Sequence, residues 1–285
     1  MTFIDFARSH GVEIDYNKLS PSDRIKRCGT TDKPRSDNGA YFWDGQRGWV
    51  MNWSGEARVV WYSNPNAKPW TDEEKRQWAA KRQTQQSEQQ HRYEQTALKA
   101  DMILRSAKLE EHPYLRAKGF GAEKGFVLDD VLLIPMRNVA TNKLQGYQQI
   151  IWDSDERKYV KKMLTGMRAK NAVFRMGVKD AGETWLVEGY ATGLSVHHAL
   201  RSCGMQASVV VCFSAGNLTA VASQILGKVM IFADNDASGT GAKAAEATGC
   251  PWVMADEEGF DANDLHHKHG LFAVVRKLMS VLTPA

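Results

Sequence analysis

Hydrophobic and polar positions change their rhythm in blocks along the 285-residue chain. In residues 1–68, short aromatic and β-branched runs alternate with turn signals. The stretch NGAYFWDGQRGWVMNWSGEARVVWY places Asp44-Gly45 and Ser54-Gly55 between such runs. Dipeptides of this kind favour hairpin turns. The block predicts a small antiparallel β module, its tryptophans mostly forming a core and any exposed ones available as stacking platforms. Pro65 and Pro69 then break the chain. From Trp70 to about Ala107 there are many helix formers, and no glycine or proline follows Pro69 in this block. The spacing predicts a connector helix over 69–107, opened by a Thr71/Glu74 capping box. It is polar all round until Ala97–Leu104, an apolar stretch that should dock on the next region.

A second region opens at His112-Pro113-Tyr114-Leu115. VLLIPM, residues 131–136, reads as a buried strand. GYQQIIW, residues 146–152, reads as another, after the turn-like Thr141-Asn142-Lys143. From Glu183 the pattern changes again. The apolar runs WLV, SVVVCF and KVMIFA alternate with helical stretches at Leu194–Arg201, Leu218–Leu226 and about Gly241–Ala247. Trp252–Met254 predicts a fourth strand and Leu271–Leu282 a final helix. Continuous apolar strands alternating with helices predict an α/β fold, a parallel sheet covered on both faces.

Composition adds little to this. The apolar share of 43% and charged share of 25% are those of an ordinary globular protein. No stretch approaches the roughly 20 apolar residues of a membrane helix, and the N-terminus lacks a signal-peptide layout. A cytoplasmic protein with no membrane partner is expected. Cys28, Cys203, Cys212 and Cys250 are scattered, so neither a disulfide framework nor a zinc ribbon is supported.

Charge sharpens the picture locally. Net charge is only +4. From Arg157 to Arg175, however, the basic residues Arg157, Lys158, Lys161, Lys162, Arg168, Lys170 and Arg175 have no acidic residue among them and are interleaved with Tyr159 and Phe174. Cations neutralise phosphates and aromatics stack on bases; a solvated basic face is the alternative.

Acidic residues mark the carboxyl ends of the predicted strands, where open α/β sheets gather function. Glu188 follows WLV directly, and Asp234 and Asp236 follow VMIFA. An Asp-x-Asp at a strand end can present two carboxylates to a hard cation such as Mg²⁺. Asp261 and Asp264, in FDANDL, either complete that site or cap the helix behind them. The Ser238–Lys243 stretch, SGTGAK, lacks Walker spacing and reads as a glycine-rich helix entry whose amides can still touch a phosphate. Ser214 reads as a turn residue, without a nucleophile's context. His197-His198 and His266-His267-His269 do not have the directions of a zinc set.

These residues carry a resemblance. VEGYATGLS, FSAGNLTAVA, FADNDASGTGAKAA and GFDANDL are similar to a TOPRIM domain, the metal-binding module shared by bacterial-type primases, topoisomerases and some nucleases. HPYLRAKG, LLIPMRN and KLQGYQQIIWDSDERKYVKKMLTGM resemble the basic subdomain that precedes it in phage and plasmid primases. RIKRCGT and NGAYFWDGQRGWVMNW resemble the N-terminal module of such proteins.

The resemblance implies a small N-terminal β module (1–68), a connector helix (69–107), a basic mixed α+β primase-core subdomain (108–180) and a TOPRIM domain (181–285). It implies a stand-alone DNA primase without a fused helicase, making short RNA primers on single-stranded DNA from NTPs with Mg²⁺ or Mn²⁺. A separate replicative helicase is the expected partner. Glu188 would orient the site or act in acid/base work, and Asp234 and Asp236 would anchor metal, with Asp261 and Asp264 as further ligands. Arg137, Lys158, Lys161, Lys162, Arg168 and Lys243 would contact nucleic acid or nucleotide. Relatives with a zinc ribbon need more soft ligands than the His10 and Cys28 available here, so no zinc is expected. The alternatives are a TOPRIM nuclease acting through the same carboxylates, and a non-catalytic single-strand-binding or helicase-loading factor.

Overall fold

Alternation and capping decide most elements in the computed structural model, which describes residues 1–53, 58–62, 64, 71–179 and 181–282, the Asp23 side chain aside. Ser54-Gly55, Pro65 and Pro69 lie outside the described residues. The chain divides into two compact units, Met1–Arg82 and Gln83–Ala285.

In the first unit, a Thr2/Asp5 capping box starts α1 (Phe3–Ser9). Five strands follow: β1 (Val12–Glu13), β2 (Ser22–Thr30), β3 (Gly39–Trp43), β4 (Gly48–Asn52) and β5 (Val59–Tyr62). They pair antiparallel in chain order. Asp44 holds the predicted β3–β4 turn by accepting from the N–H groups of Gln46 (2.8 Å) and Arg47 (2.6 Å), with Gly45 at φ +102°. Phe3, Val12, Ile14, Tyr41 and Val50 form the core, and Trp43 stacks on Phe3 at 4.5 Å. The tryptophans divide more evenly than expected. Strand alternation turns Val60 and Tyr62 inward and leaves Trp61 outward, 61% exposed, and Trp53 is 50% exposed.

Thr71 and Glu74 make the predicted reciprocal contacts at the start of α2 (Asp72–Ser106). The helix is polar until its last turns. There Ala100 is buried, and Ile103 and Leu104 pack with Leu133 and Tyr147, as the sequence suggested.

The second unit continues with β6 (Lys108–Glu110), α3 (Pro113–Ala117), β7 (Gly125–Leu128), β8 (Val131–Asn138), β9 (Leu144–Asp153), β10 (Lys158–Met163) and β11 (Ala172–Gly177). An alternating β/α run comes next: β12 (Glu183–Val187), α4 (Tyr190–Ser202), β13 (Ser208–Val211), α5 (Ala215–Ala222), β14 (Lys228–Ala233), α6 (Thr240–Glu246), β15 (Trp252–Met254), α7 (Ala262–His269) and α8 (Leu271–Leu282). Among the described residues, ten strands form one sheet in the order β10-β9-β8-β11-β13-β12-β14-β15, with β7 beside β8 and β6 beside β7. β12 runs parallel to β13 and β14, and β15 parallel to β14; the other pairs are antiparallel. The segments 108–180 and 181–285 therefore share one sheet and one compact unit. β11 is the joint, pairing with β8 at Ala172–Val173 and with β13 from Phe174 onward.

Alternation sends Trp185, Val187, Met230 and Phe232 to one face, into a core that also takes Val196 and Leu200 of α4, Leu265 of α7 and Leu278 of α8. Leu186, Val210 and Ile231 go to the other, with Leu218 and Val221 of α5 and Ala245 of α6. This is the two-sided cover expected of the parallel strands. The basic run, by contrast, holds two strands that composition did not reveal, β10 and β11. Among the described residues no helix is long and apolar enough to cross a membrane.

Candidate functional site

β12 and β14 are parallel neighbours, with Leu186 opposite Ile231, so the residues that follow them leave the same edge of the sheet. Glu188 follows β12 and Asp234 follows β14. Two local devices shape their surroundings. Phe213 adopts φ +66°, rare for a bulky residue, and donates its N–H to the Glu188 carbonyl at 2.9 Å. That bend starts α5, where the Ala215 N–H faces the Glu188 carboxylate. Gly241, in the first turn of α6, lies against the Asp234 backbone. A Cβ there would come within 2.3 Å of the Asp234 carbonyl oxygen, so only glycine permits the approach.

The carboxylates are coupled through their charges. Burial pushes Asp234 from its ordinary 3.8 up to about 7, assisted by the charge of Asp261 and then of Glu188; Lys161 opposes the shift, and Asp236 adds least. Its Oδ1 is buried and has no hydrogen-bond partner among the described residues. Glu188 is raised by burial and then by Asp236, against the Ala215 N–H. Asp236 turns to its own loop. Its Oδ1 accepts from the Ser238 hydroxyl and from the Ser238 (2.9 Å) and Thr240 (3.2 Å) N–H groups, and Oδ2 accepts from the Gly241 N–H at 2.9 Å. The Ser238 hydroxyl and these amides hold Asp236 down to about 2. The amides of the SGTGAK entry are thus spent on Asp236, and the exposed Lys243 lies on the helix beyond them.

Asp261 and Asp264 cap α7. Asp261 Oδ1 accepts from the Asn263 and Asp264 N–H groups at 2.6 and 2.9 Å, Asp264 accepts from the Asp261 N–H at 3.2 Å, and the Thr192 hydroxyl donates to Asp261 Oδ2 at 2.9 Å. The cap nevertheless places Asp261 as the strongest charged neighbour of Asp234.

Of the predicted cations, Lys161 is the one that feels the charge of this cluster. It is exposed to solvent. The surrounding protein lowers its ammonium pKa, while Asp261, Asp234 and Asp264 raise it and Lys118 lowers it further. Along β10, alternation puts Lys158 and Lys162 on the opposite face from Lys161; Lys158 pairs with Glu156. Arg137 donates to the Asn142 carbonyl at 3.2 Å, within its own hairpin. Arg168 is exposed, and its carbonyl accepts from Gln145 at 2.6 Å.

Sequence reading missed Lys118 and Asn217. Lys118 ends α3 and looks there like an ordinary helix-terminal cation. Asn217 ties α5 to the joint strand: it accepts from the Asn171 N–H at 2.7 Å and donates to the Ala172 and Cys212 carbonyls at 2.8 Å each. An asparagine beside a glycine at a helix entry carries no signal of this by itself.

Other candidates have structural roles. Ser214 caps α5, accepting from the Asn217 N–H at 3.2 Å. His198 bonds Glu123 at 2.8 Å, and His266 bonds Ser195 at 3.1 Å. Tyr190, which follows Glu188 by two residues and opens α4, is buried against Phe174, its phenol pushed up to about 12 by burial. In the first unit, His10 packs on Phe6 and bonds its carbonyl at 2.9 Å, and burial raises the Cys28 thiol to about 11.

Among the described residues, no group of three or more His, Cys, Asp or Glu side chains stands ready-made around a metal position. The donors present do fit a hard divalent ion: they are carboxylate oxygens, one of them buried and unpartnered, under mutual repulsion that a cation relieves. Mg²⁺ commonly binds through one or two carboxylates, keeping waters and substrate phosphates as its other ligands. This suits the open arrangement better than a closed cage.

Comparison with known families bears on the same stretch. Residues 183–271 match the Toprim_3 family, a Toprim domain. The match spans β12 through α7 and contains Glu188, Asp234, Asp236, Asp261 and Asp264. The chain thus contains a TOPRIM domain, a module of metal-dependent nucleic-acid enzymes that in general binds Mg²⁺.

Proposed function

We propose that the protein is a DNA primase that synthesises short RNA primers on single-stranded DNA by metal-dependent nucleotidyl transfer. The observation that carries this reading is the convergence of Lys161, from the basic segment, on the TOPRIM carboxylates. A nucleotide triphosphate and a primer terminus together bring several negative charges to a site already rich in carboxylates. Phosphoryl transfer asks chiefly for positioning and charge neutralisation, and Lys161 and Lys118 offer both from outside the matched domain.

In this reading Asp234, with its unpartnered oxygen, is the principal metal ligand, and Asp236 and Asp261 stand by with their loops fixed. A bound Mg²⁺ or Mn²⁺ supplies charge stabilisation for the attacking and leaving oxygens. Glu188, its pKa raised, is suited to accept the proton of an attacking 3′-hydroxyl. Lys161 holds phosphate at the rim. The buried Tyr190 argues against a tyrosine nucleophile of topoisomerase type. Single-stranded DNA, NTPs and a replicative helicase are the partners this function calls for.

The test is the wild-type protein on circular single-stranded DNA with labelled NTPs or dNTPs, with and without Mg²⁺ or Mn²⁺. Metal-dependent labelled primers support the reading. DNA cleavage without incorporation would make it a nuclease, and metal-indifferent binding with neither product would make it a binding factor.

A further inference from the structure

A second feature lies on the same face of β10 as Lys161. Tyr159 is two residues before it, roughly 7 Å along the strand, and pairs across the sheet with Trp152 of β9. The two rings meet edge to face at 4.9 Å. With His112, Pro113 and Asp130 they line a cavity of about 370 Å³. Trp152 is 50% exposed.

The rest of the cavity is rigidly built. Asp129 and Asp130 both take positive φ, +48° and +60°, in the two-residue turn between β7 and β8. His112 is buried. Its Nδ1 accepts from the Tyr114 N–H at 3.1 Å, which leaves Nε2 to donate to the Asp130 carbonyl at 3.0 Å. The Asp130 main chain is thereby fixed; the residue lines the cavity and is exposed, and its side chain has no hydrogen bond or ion pair among the described residues.

From this we infer that the Trp152/Tyr159 cavity is a nucleobase subsite, which stacks one base on Trp152 and reads an N–H edge of it with the Asp130 carboxylate. An aromatic ring offers every base a face, and a carboxylate accepts from base amino or imino groups. Lys161, next along the strand, meets the phosphate of the same nucleotide and leads it toward Asp234. Only this last orientation rests on reading the carboxylate site as nucleotide-processing. The base is that of an incoming nucleotide or of a single strand passing the site, and the chemistry is shared.

The experiment is equilibrium binding without turnover, so it stands or falls separately from primase activity. The probes are each of the four NTPs, a fluorescein-labelled single-stranded oligonucleotide, and inorganic tripolyphosphate as the ligand without a base. Trp152→Ala is expected to weaken NTP or oligonucleotide binding about tenfold or more, the effect of losing one stacked base. Trp152→Phe should restore most of it, and tripolyphosphate binding should not change. Asp130→Asn should alter the ranking of the bases. Loss confined to NTPs identifies an incoming nucleotide; loss confined to the oligonucleotide identifies a strand base. The inference is overturned if Trp152→Ala and Tyr159→Ala bind both probes within twofold of wild type, if tripolyphosphate weakens equally, or if the wild type binds neither NTPs nor oligonucleotide.

Discussion

Asp234→Asn should stabilise the metal-free protein while removing its activity. The folded carboxylate titrates near 7 against an ordinary 3.8. At about 1.36 kcal/mol per pKa unit, the difference corresponds to roughly 4 kcal/mol. The sign follows from which state holds the proton. Below 3.8 the group is neutral in both folded and unfolded chains, and it contributes nothing. Between 3.8 and about 7 the unfolded chain ionises while the folded one keeps its proton, so stability falls as pH rises. Above 7 the full penalty is present. Asparagine carries no charge and escapes it. Urea unfolding in EDTA should therefore show the variant more stable by up to about 4 kcal/mol at pH 8, with the gap closing by pH 3.5. Mg²⁺ at a hundred times Kd should narrow the gap at pH 8 by about 2.7 kcal/mol, because the ion binds the folded wild type and that linkage already includes relief of the repulsion. A variant no more stable than wild type at pH 8, or a gap indifferent to pH, would refute the assignment of Asp234 as a buried, repelled carboxylate.

Further outcomes rest on the same geometry. Lys161→Ala should lower nucleotide incorporation about 100-fold, the scale of losing one charge-stabilising group, while Lys162→Ala, on the opposite face of β10, should change it less than about threefold in the same steady-state assay. Gly241→Ala should cost roughly 1–3 kcal/mol in thermal unfolding, because its Cβ meets the Asp234 carbonyl at 2.3 Å, whereas Gly216→Ala, with nothing within 4 Å, should be neutral or stabilising. Asn217→Ala should cost roughly 1–3 kcal/mol in urea unfolding by leaving the Asn171 N–H and two carbonyls short of a partner.

The parallel-sheet region is the most legible part of the sequence, for a physical reason. Strands buried on both faces must be largely apolar, so SVVVCF and KVMIFA announce themselves, and KVMIFA matches β14 residue for residue. The carboxylates after them can be placed at strand ends from chain order alone. Their pairing cannot. That Asp236 bends back to its own loop, leaving Asp261 as the strongest charged neighbour of Asp234, depends on the turn at Gly239 and on the cap of α7, which bring together residues far apart in the chain. The strands β10 and β11 are hidden because lysines and arginines on an edge or joint strand mask alternation. Once β10 is known to be a strand, period two separates Lys161 from Lys158 and Lys162, a distinction the basic run could not make. The outward Trp61 escapes for the converse reason: an aromatic on a small sheet reads as core unless its register is known.

The account turns on whether the carboxylate site performs metal-dependent nucleotide addition. The most direct measurement is primer synthesis by wild-type and Asp234→Ala proteins on a single-stranded DNA template with all four NTPs and Mg²⁺ or Mn²⁺. Primers from the wild type and none from the variant are the predicted result. Full synthesis by Asp234→Ala would contradict it.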